Sequence, residues 1–384
     1  MSRADFPIAE FTSRLSRVRA AMAEARLDWF IAFHPVSIHW LTGSDAKSYQ
    51  AFQCLFISAA DGRRVILTRE GERNEFEADA VVDAVHGWGG GEPEDPIAAF
   101  ERLAAALGLG GERVGIEVPA YYLHPHHYLR IKAILGDALA AEATDLIHRL
   151  KLVKSPRELD YIRAASRIAD AAMRTFIAAL KEGRSELEVA GEVYRALLAG
   201  GSGLPASTLN LVSGERAGFS HGAPTARRLR SGDTGNVEFG AAYRRYTVTI
   251  GRQFSLGPPS ARVAELYRIV REAGDAAIAA IRAGVKASVP HEAARSVIAA
   301  VGYDRYRVHT TGYGIAPGFP PSWGEPLHMF SGCEDVLEAG MVLSVEPPIF
   351  IGAERLGVRI IDNVLVTESG VSRLSQLPRD LVVA

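Results

Sequence analysis

A chain of 384 residues, 48% hydrophobic and 23% charged, is long enough to build two separately cored domains. Its 43 Lys and Arg stand against 45 Asp and Glu, a formal net charge of -2, so no global field draws it to nucleic acid or an anionic membrane. Two cysteines, Cys54 and Cys333, are too few for a disulfide framework; with no apolar leader in MSRADFPIAEF and no run of about 18 apolar residues, the expectation is a soluble cytoplasmic protein with buried thiols.

The first element is an amphipathic helix in which Phe11, Leu15, Val18 and Met22 fall at helical spacing, with Arg14, Arg17 and Arg19 expected to face elsewhere. Short apolar runs follow at Trp29–Phe33, Cys54–Ser58, Val65–Thr68, Ala80–Val85 and Val114–Val118, which read as strands. A helix is expected over Asp95–Leu107 and a plain loop over Gly87–Pro96. The cluster Leu123-His124-Pro125-His126-His127 lacks the i, i+4 spacing of a helical metal motif and reads as a loop or helix start. Together these elements predict a mixed α/β domain over residues 1–150.

At Lys154-Ser155-Pro156-Arg157-Glu158 a capping Ser, a Pro at the first helical position and a Glu three residues after the Ser open a long helix, so a domain boundary is placed near residue 150. A second helix starts at Ser185 with Glu188 and stops at Gly200-Gly201. Strands around Thr208–Ser213, Gly235–Phe239 and Tyr246–Phe254 precede helices near Ala261–Ala283 and Pro290–Val301, and further strands at Met341–Val345 and Val358–Val366. That alternation predicts two similar α/β halves within 151–384. No period of 20–50 residues occurs, which excludes a solenoid.

Five collinear segments of this second part, Ser213–Pro224, Gly232–Phe254, Gly312–Glu325, Leu337–Pro347 and Gly357–Glu368, resemble the pita-bread family of creatinase, prolidase and aminopeptidase P. The resemblance implies an α/β (α+β) protein: a creatinase-like N-terminal domain and a C-terminal pita-bread domain with pseudo-two-fold halves. It also implies a homodimer in which residues near Ala46–Gln53 could reach the other subunit's pocket. In metal-dependent members two Asp, one His and two Glu hold two divalent cations. Here Glu238 stands at the first Asp position, Thr249 at the second, Tyr313 at the His, Glu346 at the first Glu and Ile361 at the last. Asp362 is one residue off, and so on the other face of a strand. Two carboxylates, a Thr, a Tyr and an Ile do not supply the oxygen and nitrogen donors that two hard cations take, so neither a metal nor another cofactor is expected.

Within the resemblance, Glu238 followed by Arg244-Arg245-Tyr246, and Tyr313 followed by Pro320-Pro321-Ser322-Trp323-Gly324-Glu325, look like the metal-independent ectoine-hydrolase-like branch, beside creatinase. That implies a hydrolase of a non-peptide C–N bond in a small polar metabolite. Expected catalytic residues are His221, Glu238 and Glu346: Glu238 as base or nucleophile and Glu346 as the partner of a substrate cation, an assignment the sequence explains equally well with the two roles exchanged, and His221, an imidazole side chain suited to acid/base work, as proton shuttle. Tyr313, His309, Trp323, Arg252 and Arg359 are the expected substrate-binding residues, with Tyr313 donating to the tetrahedral intermediate. Glu238 could instead be a structural ion pair with Arg252 or Arg359. Two other functions remain open: a metal-dependent Xaa-Pro dipeptidase or aminopeptidase, and a non-catalytic binding module.

Overall fold

The computed structural model describes residues 3–45 and 47–384. Ala46, the first residue of the segment expected to reach a partner's pocket, lies outside them. Contacts divide the chain into two compact units, one ending at Lys151 and one running from Leu152 to Ala384.

The first unit is built on a six-stranded mixed sheet in the order Ala84–Trp88, Arg64–Arg69, Cys54–Ser58, Trp29–Ala32, Val114–Ile116, Leu139–Glu142. Its central strands are apolar throughout because helices cover both faces. Trp29, Ile31, Cys54, Phe56, Val65 and Leu67 pack with Ile97 and Phe100, from the helix Pro96–Ala106, and with Ile131. The intervening Phe30, Leu55, Ile57 and Ile66 pack on the other side with Val18, Met22 and Phe76. Alternate residues thus feed two cores, as a pleated strand requires.

Three local expectations change. Arg14 turns inward from the helix Ile8–Glu24, where it is 2% exposed, donates to Trp40 O at 2.8 Å and lies over the Phe6 ring. A long side chain can cover apolar surface while its head finds a carbonyl, which a polar-face count overlooks. The strand expected at Ala80–Val85 forms instead at Ala84–Trp88, taking Gly87 and Trp88 out of the expected loop. Gly87 is needed there, since a Cβ would meet Glu70 Oε2 at 1.6 Å.

The second unit opens with the helix Pro156–Ala179, whose capping box joins the Ser155 hydroxyl to Glu158 N and Glu158 Oε2 to Ser155 N. The same device at Ser185 and Glu188 starts the helix Glu186–Ala199. Such caps contribute about 1 kcal/mol each. The first half is a four-stranded sheet, Val382–Val383, Tyr246–Ser255, Thr234–Tyr243, Asn210–Ser213, against which Pro156–Ala179 packs through Phe176 on Phe254 and Tyr246 Oη to Glu158 at 2.8 Å. The second half is a five-stranded sheet, Ser322–Met329, Gly312–Phe319, Val342–Val345, Asp362–Val366, Val371–Arg373. Helices Ala261–Ala280 and Ser288–Ala300 share its core through Val270, Ala273, Ile298, Leu343 and Val364.

A bridge between Gly251 and Ile361 joins the halves, with N···O distances of 3.2 and 3.0 Å. The expected strand Val358–Val366 is broken just before this bridge, into Leu356–Val358 and Asp362–Val366. Arg244 and Arg245 form the tight turn between the long strands Thr234–Tyr243 and Tyr246–Ser255, both at positive φ (51° and 65°). Side chains there cost about 1–2 kcal/mol each. Arg245 offsets part of this by stacking 4.2 Å from the Phe319 ring and by accepting from Gly318 N at 2.9 Å. Both cysteines are buried free thiols. No helix among the described residues is long and apolar enough to cross a membrane.

Candidate active site

Glu238 sits in the middle of Thr234–Tyr243, opposite Asn210 on one neighbouring strand and Gly251 on the other. Directly opposed residues share a face, and so do residues two apart, so Asn236, Glu238, Gly240, Thr249 and Gly251 all belong to one face. Arg252 belongs to the other. From the second sheet, Tyr313 is opposite both His328 and Ser344, and Glu346 leaves the end of Val342–Val345 with its N–H on Thr311 O at 2.8 Å.

These strands surround a cavity of about 280 Å³ lined by His221, Glu238, His309, Tyr313, Trp323 and His328 among others. A larger cavity of about 610 Å³ lies in the first unit, between Tyr49, Trp88, Tyr121 and His127. It holds no carboxylate, so volume alone does not locate the chemistry.

Glu238 is 4% exposed and one of its oxygens takes both Arg359 Nη2 at 2.6 Å and Asn210 Nδ2 at 3.0 Å. The Arg359 contact is ionic rather than an aligned hydrogen bond, for Nη2 has no partner of good geometry, while Nε donates to Asn236 Oδ1 at 3.2 Å. Burial pushes the Glu238 carboxyl up, but Arg359, the Asn210 hydrogen bond and the nearby histidines outweigh it and hold it below the usual range. Glu346 goes the other way. Burial first, then the Glu238 charge, raises it to about 8 despite Arg359 and the Ser344 hydroxyl, which donates to its Oε2 at 3.1 Å. Of two neighbouring carboxyls one is ionised and one neutral, the separation that divides base from acid.

His309 Nδ1 lies 3.1 Å from Thr310 O and 3.5 Å from Glu346 Oε1. A proton on Nδ1 suits the carbonyl, leaving Nε2 as acceptor. Burial is the chief cause of its lowered pKa. The exposed His221 ring stands 5.7 Å from it. Tyr313 is held as a phenol, mostly by burial and then by both glutamates, and accepts from Trp323 Nε1 at 3.1 Å. Trp323 is seated over Gly240, where a Cβ would come within 2.9 Å of the indole. Behind this wall Glu325 forms a buried pair with Lys154 at 2.6 Å.

His221, Glu238, His309, Tyr313 and Trp323 are therefore brought together, with Glu346 behind Tyr313 and Arg359 behind Glu238. Of the two arginines offered as Glu238 partners, Arg359 takes the role. Arg252 is kept away from the cluster: it holds Asp362 at 2.9 Å and donates to the carbonyls of Gly251, Ile361 and Pro378. Glu346, expected as the partner of a substrate cation or, with the roles exchanged, as the base, has its pKa raised to about 8 by burial first and then by the Glu238 charge, which favours its neutral form near neutrality. Asn210 and Asn236 went unnoticed in the sequence. Asn236 was accessible as the residue two before Glu238, hence on its face, whereas Asn210 reaches Glu238 only through strand pairing.

The model of the metallopeptidase family M24 matches residues 160–368, and that of the creatinase/prolidase N-terminal domain matches residues 14–153. A protein named probable dipeptidase PepE, from Mycobacterium bovis, is 32% identical over 389 residues, covering 98% of both chains. An Xaa-Pro dipeptidase of Pyrococcus furiosus is 34% identical over 242 residues, 62% of this chain and 67% of its own. Among solved structures, dipeptidase PepE from Mycobacterium ulcerans superimposes with a TM-score of 0.85 at 31% identity, covering 98% of this chain and 99% of that one.

These relatives overturn the expectation of an ectoine-hydrolase-like enzyme for non-peptide C–N bonds: the full-length matches carry dipeptidase names. The motifs behind that expectation have structural work, Arg244-Arg245 as a turn and Glu325 as the partner of Lys154. The family name implies divalent cations, yet the residues present do not fit them. Glu238 is taken by a guanidinium, and Thr249, Tyr313 and Ile361 add no anionic or imidazole donor, so Glu346, His221 and His309 remain beside Glu238. Among the described residues no group of three or more His, Cys, Asp and Glu could hold a metal ion.

Proposed function

Since the chain belongs to the metallopeptidase family M24 and carries a creatinase/prolidase N-terminal domain, we propose that it is a hydrolase of the C–N bond in short peptides, dipeptides foremost. One observation carries the reading: an ionised Glu238 on the wall of a cavity of dipeptide size, with a neutral Glu346 and two histidines beside it. Relatives named dipeptidases support the substrate class. In this reading the peptide carbonyl lies between Glu238 and Tyr313, against the Trp323 wall. Glu238 takes a proton from a water whose oxygen bonds to the carbonyl carbon, and the Tyr313 phenol donates to the developing oxyanion. His221, at the mouth, delivers a proton to the amide nitrogen as the C–N bond breaks; the new carboxylic acid gives its proton to the amine, leaving a carboxylate and an ammonium group, and the proton taken up by Glu238 returns to the imidazole through water. His309, fixed by Thr310 O, orients the substrate, and Arg359 acts through Glu238 by keeping it charged.

The test is a panel of dipeptides, with Xaa-Pro and other sequences, followed by release of free amino acid. Release by the unsubstituted protein that falls about 100-fold or more in both Glu238→Gln and His221→Ala supports the assignment. Activity intact in both variants overturns it. The buried free thiols Cys54 and Cys333 suit a reducing compartment, and we extend the proposal to a cytoplasmic location.

A further inference from the structure

Beside Glu238, two features occupy the ground that a bound cation would need. The first is apolar. Gly251 lies opposite Glu238 and is covered by the fully buried Ile361 side chain: a Cβ on Gly251 would come within 2.7 Å of both Ile361 Cγ1 and Cδ1. The methyl and methylene groups of Ile361 therefore press onto the strand position next to the carboxylate. The second is charged. The Arg359 guanidinium sits 2.6 Å from Glu238 and is 4% exposed, with Asn236 fixing its Nε. A dication at Glu238 would stand against a buried positive charge and an aliphatic surface, on a carboxylate oxygen already shared between Arg359 and Asn210.

We infer that this chain cannot assemble the divalent-cation centre its family name implies, and that Arg359, held on Glu238 and backed by Ile361, is the fixed positive charge of the site instead. Arg359 is a positioning residue here, since it touches Glu238 and not the cavity. The inference rests on this pocket being the reaction site, as proposed above, but not on a peptide being its substrate.

The experiment needs no substrate. Full-length protein is stripped with a chelator, equilibrated with Mn²⁺, Co²⁺ or Zn²⁺, and its bound metal measured by elemental analysis and calorimetry, beside the double variant Arg359→Met with Ile361→Glu. The expected result is no stoichiometric ion in the unsubstituted protein, and an affinity at least roughly 100-fold tighter in the double variant, which loses the charge and gains a carboxylate. A stoichiometric ion in the unsubstituted protein, lost in Glu238→Gln, overturns the inference. So does a double variant that is folded by circular dichroism and binds no better than its parent. If the double variant does not fold, the metal content of the unsubstituted protein and of Glu238→Gln still decides. Failure of dipeptide cleavage leaves this result untouched, so the two proposals fail separately.

Discussion

Two arginine–carboxylate groups flank the Gly251–Ile361 bridge, with Glu238 and Arg252 projecting from opposite faces of the first sheet, and they are built differently. In one, Asp362 receives Arg252 on one oxygen at 2.9 Å and Arg379 on the other at 2.6 Å, while Arg252 spends its remaining donors on three carbonyls. In the other, Arg359 meets a single oxygen of Glu238, Asn236 Nδ2 has no partner, and the carboxylate lines a cavity. A buried polar group that is fully satisfied specifies structure. One left partly satisfied beside a cavity keeps capacity for a ligand.

The largest expected effect separates the two groups by stability. Asp362→Ala strands the buried Arg252 guanidinium and takes one of two carboxylates from the half-buried Arg379, and should cost about 3–5 kcal/mol, read from denaturant midpoints, whereas Glu238→Gln should cost far less. Next comes activity: Glu238→Gln should lower dipeptide kcat by roughly 1,000-fold in a protein of native circular dichroism. If Glu238→Gln instead unfolds the protein as Asp362→Ala does, the contrast between the groups is broken.

A smaller effect concerns pH. The folded-state pKa of Glu346 is raised from 4.5 to about 8, so the folded protein binds a proton that the unfolded chain releases. The stability this proton contributes is fully present below pH 4.5 and is lost as pH rises through about 8. Glu346→Gln should flatten the fall in stability across that window; an unchanged slope would place the proton elsewhere. Smallest is Trp323→Phe, which removes one hydrogen bond to Tyr313 and should cost about 0.5–1.5 kcal/mol, seen as a drop in kcat/KM of roughly 10-fold or less.

Where a signal was local, the sequence carried it. The Ser155 and Ser185 capping boxes and the helices of the second unit depend on neighbours three or four residues away, and the two long central strands show in the apolar runs of their own segments. Arg14 and the Ala84–Trp88 strand did not read correctly, because a carbonyl of a distant helix and the edge of a sheet decided them. At the site, strand parity contains the far-face place of Arg252, which was nevertheless expected at the substrate, and the near-face place of Asn236. What parity does not contain is the pairing of Asn210 with Glu238, the packing of Ile361 on Gly251, or the protonation of Glu346, each of which depends on segments more than a dozen residues apart. Substrate class was the least legible, since motifs that looked diagnostic proved to hold a turn and a buried ion pair.

The most direct measurement of the central claim is the release of free amino acid from a panel of dipeptides by the full-length protein, run beside Glu238→Gln. The account expects release above background that is lost in the variant. No release from any dipeptide, or equal release by both proteins, would contradict it.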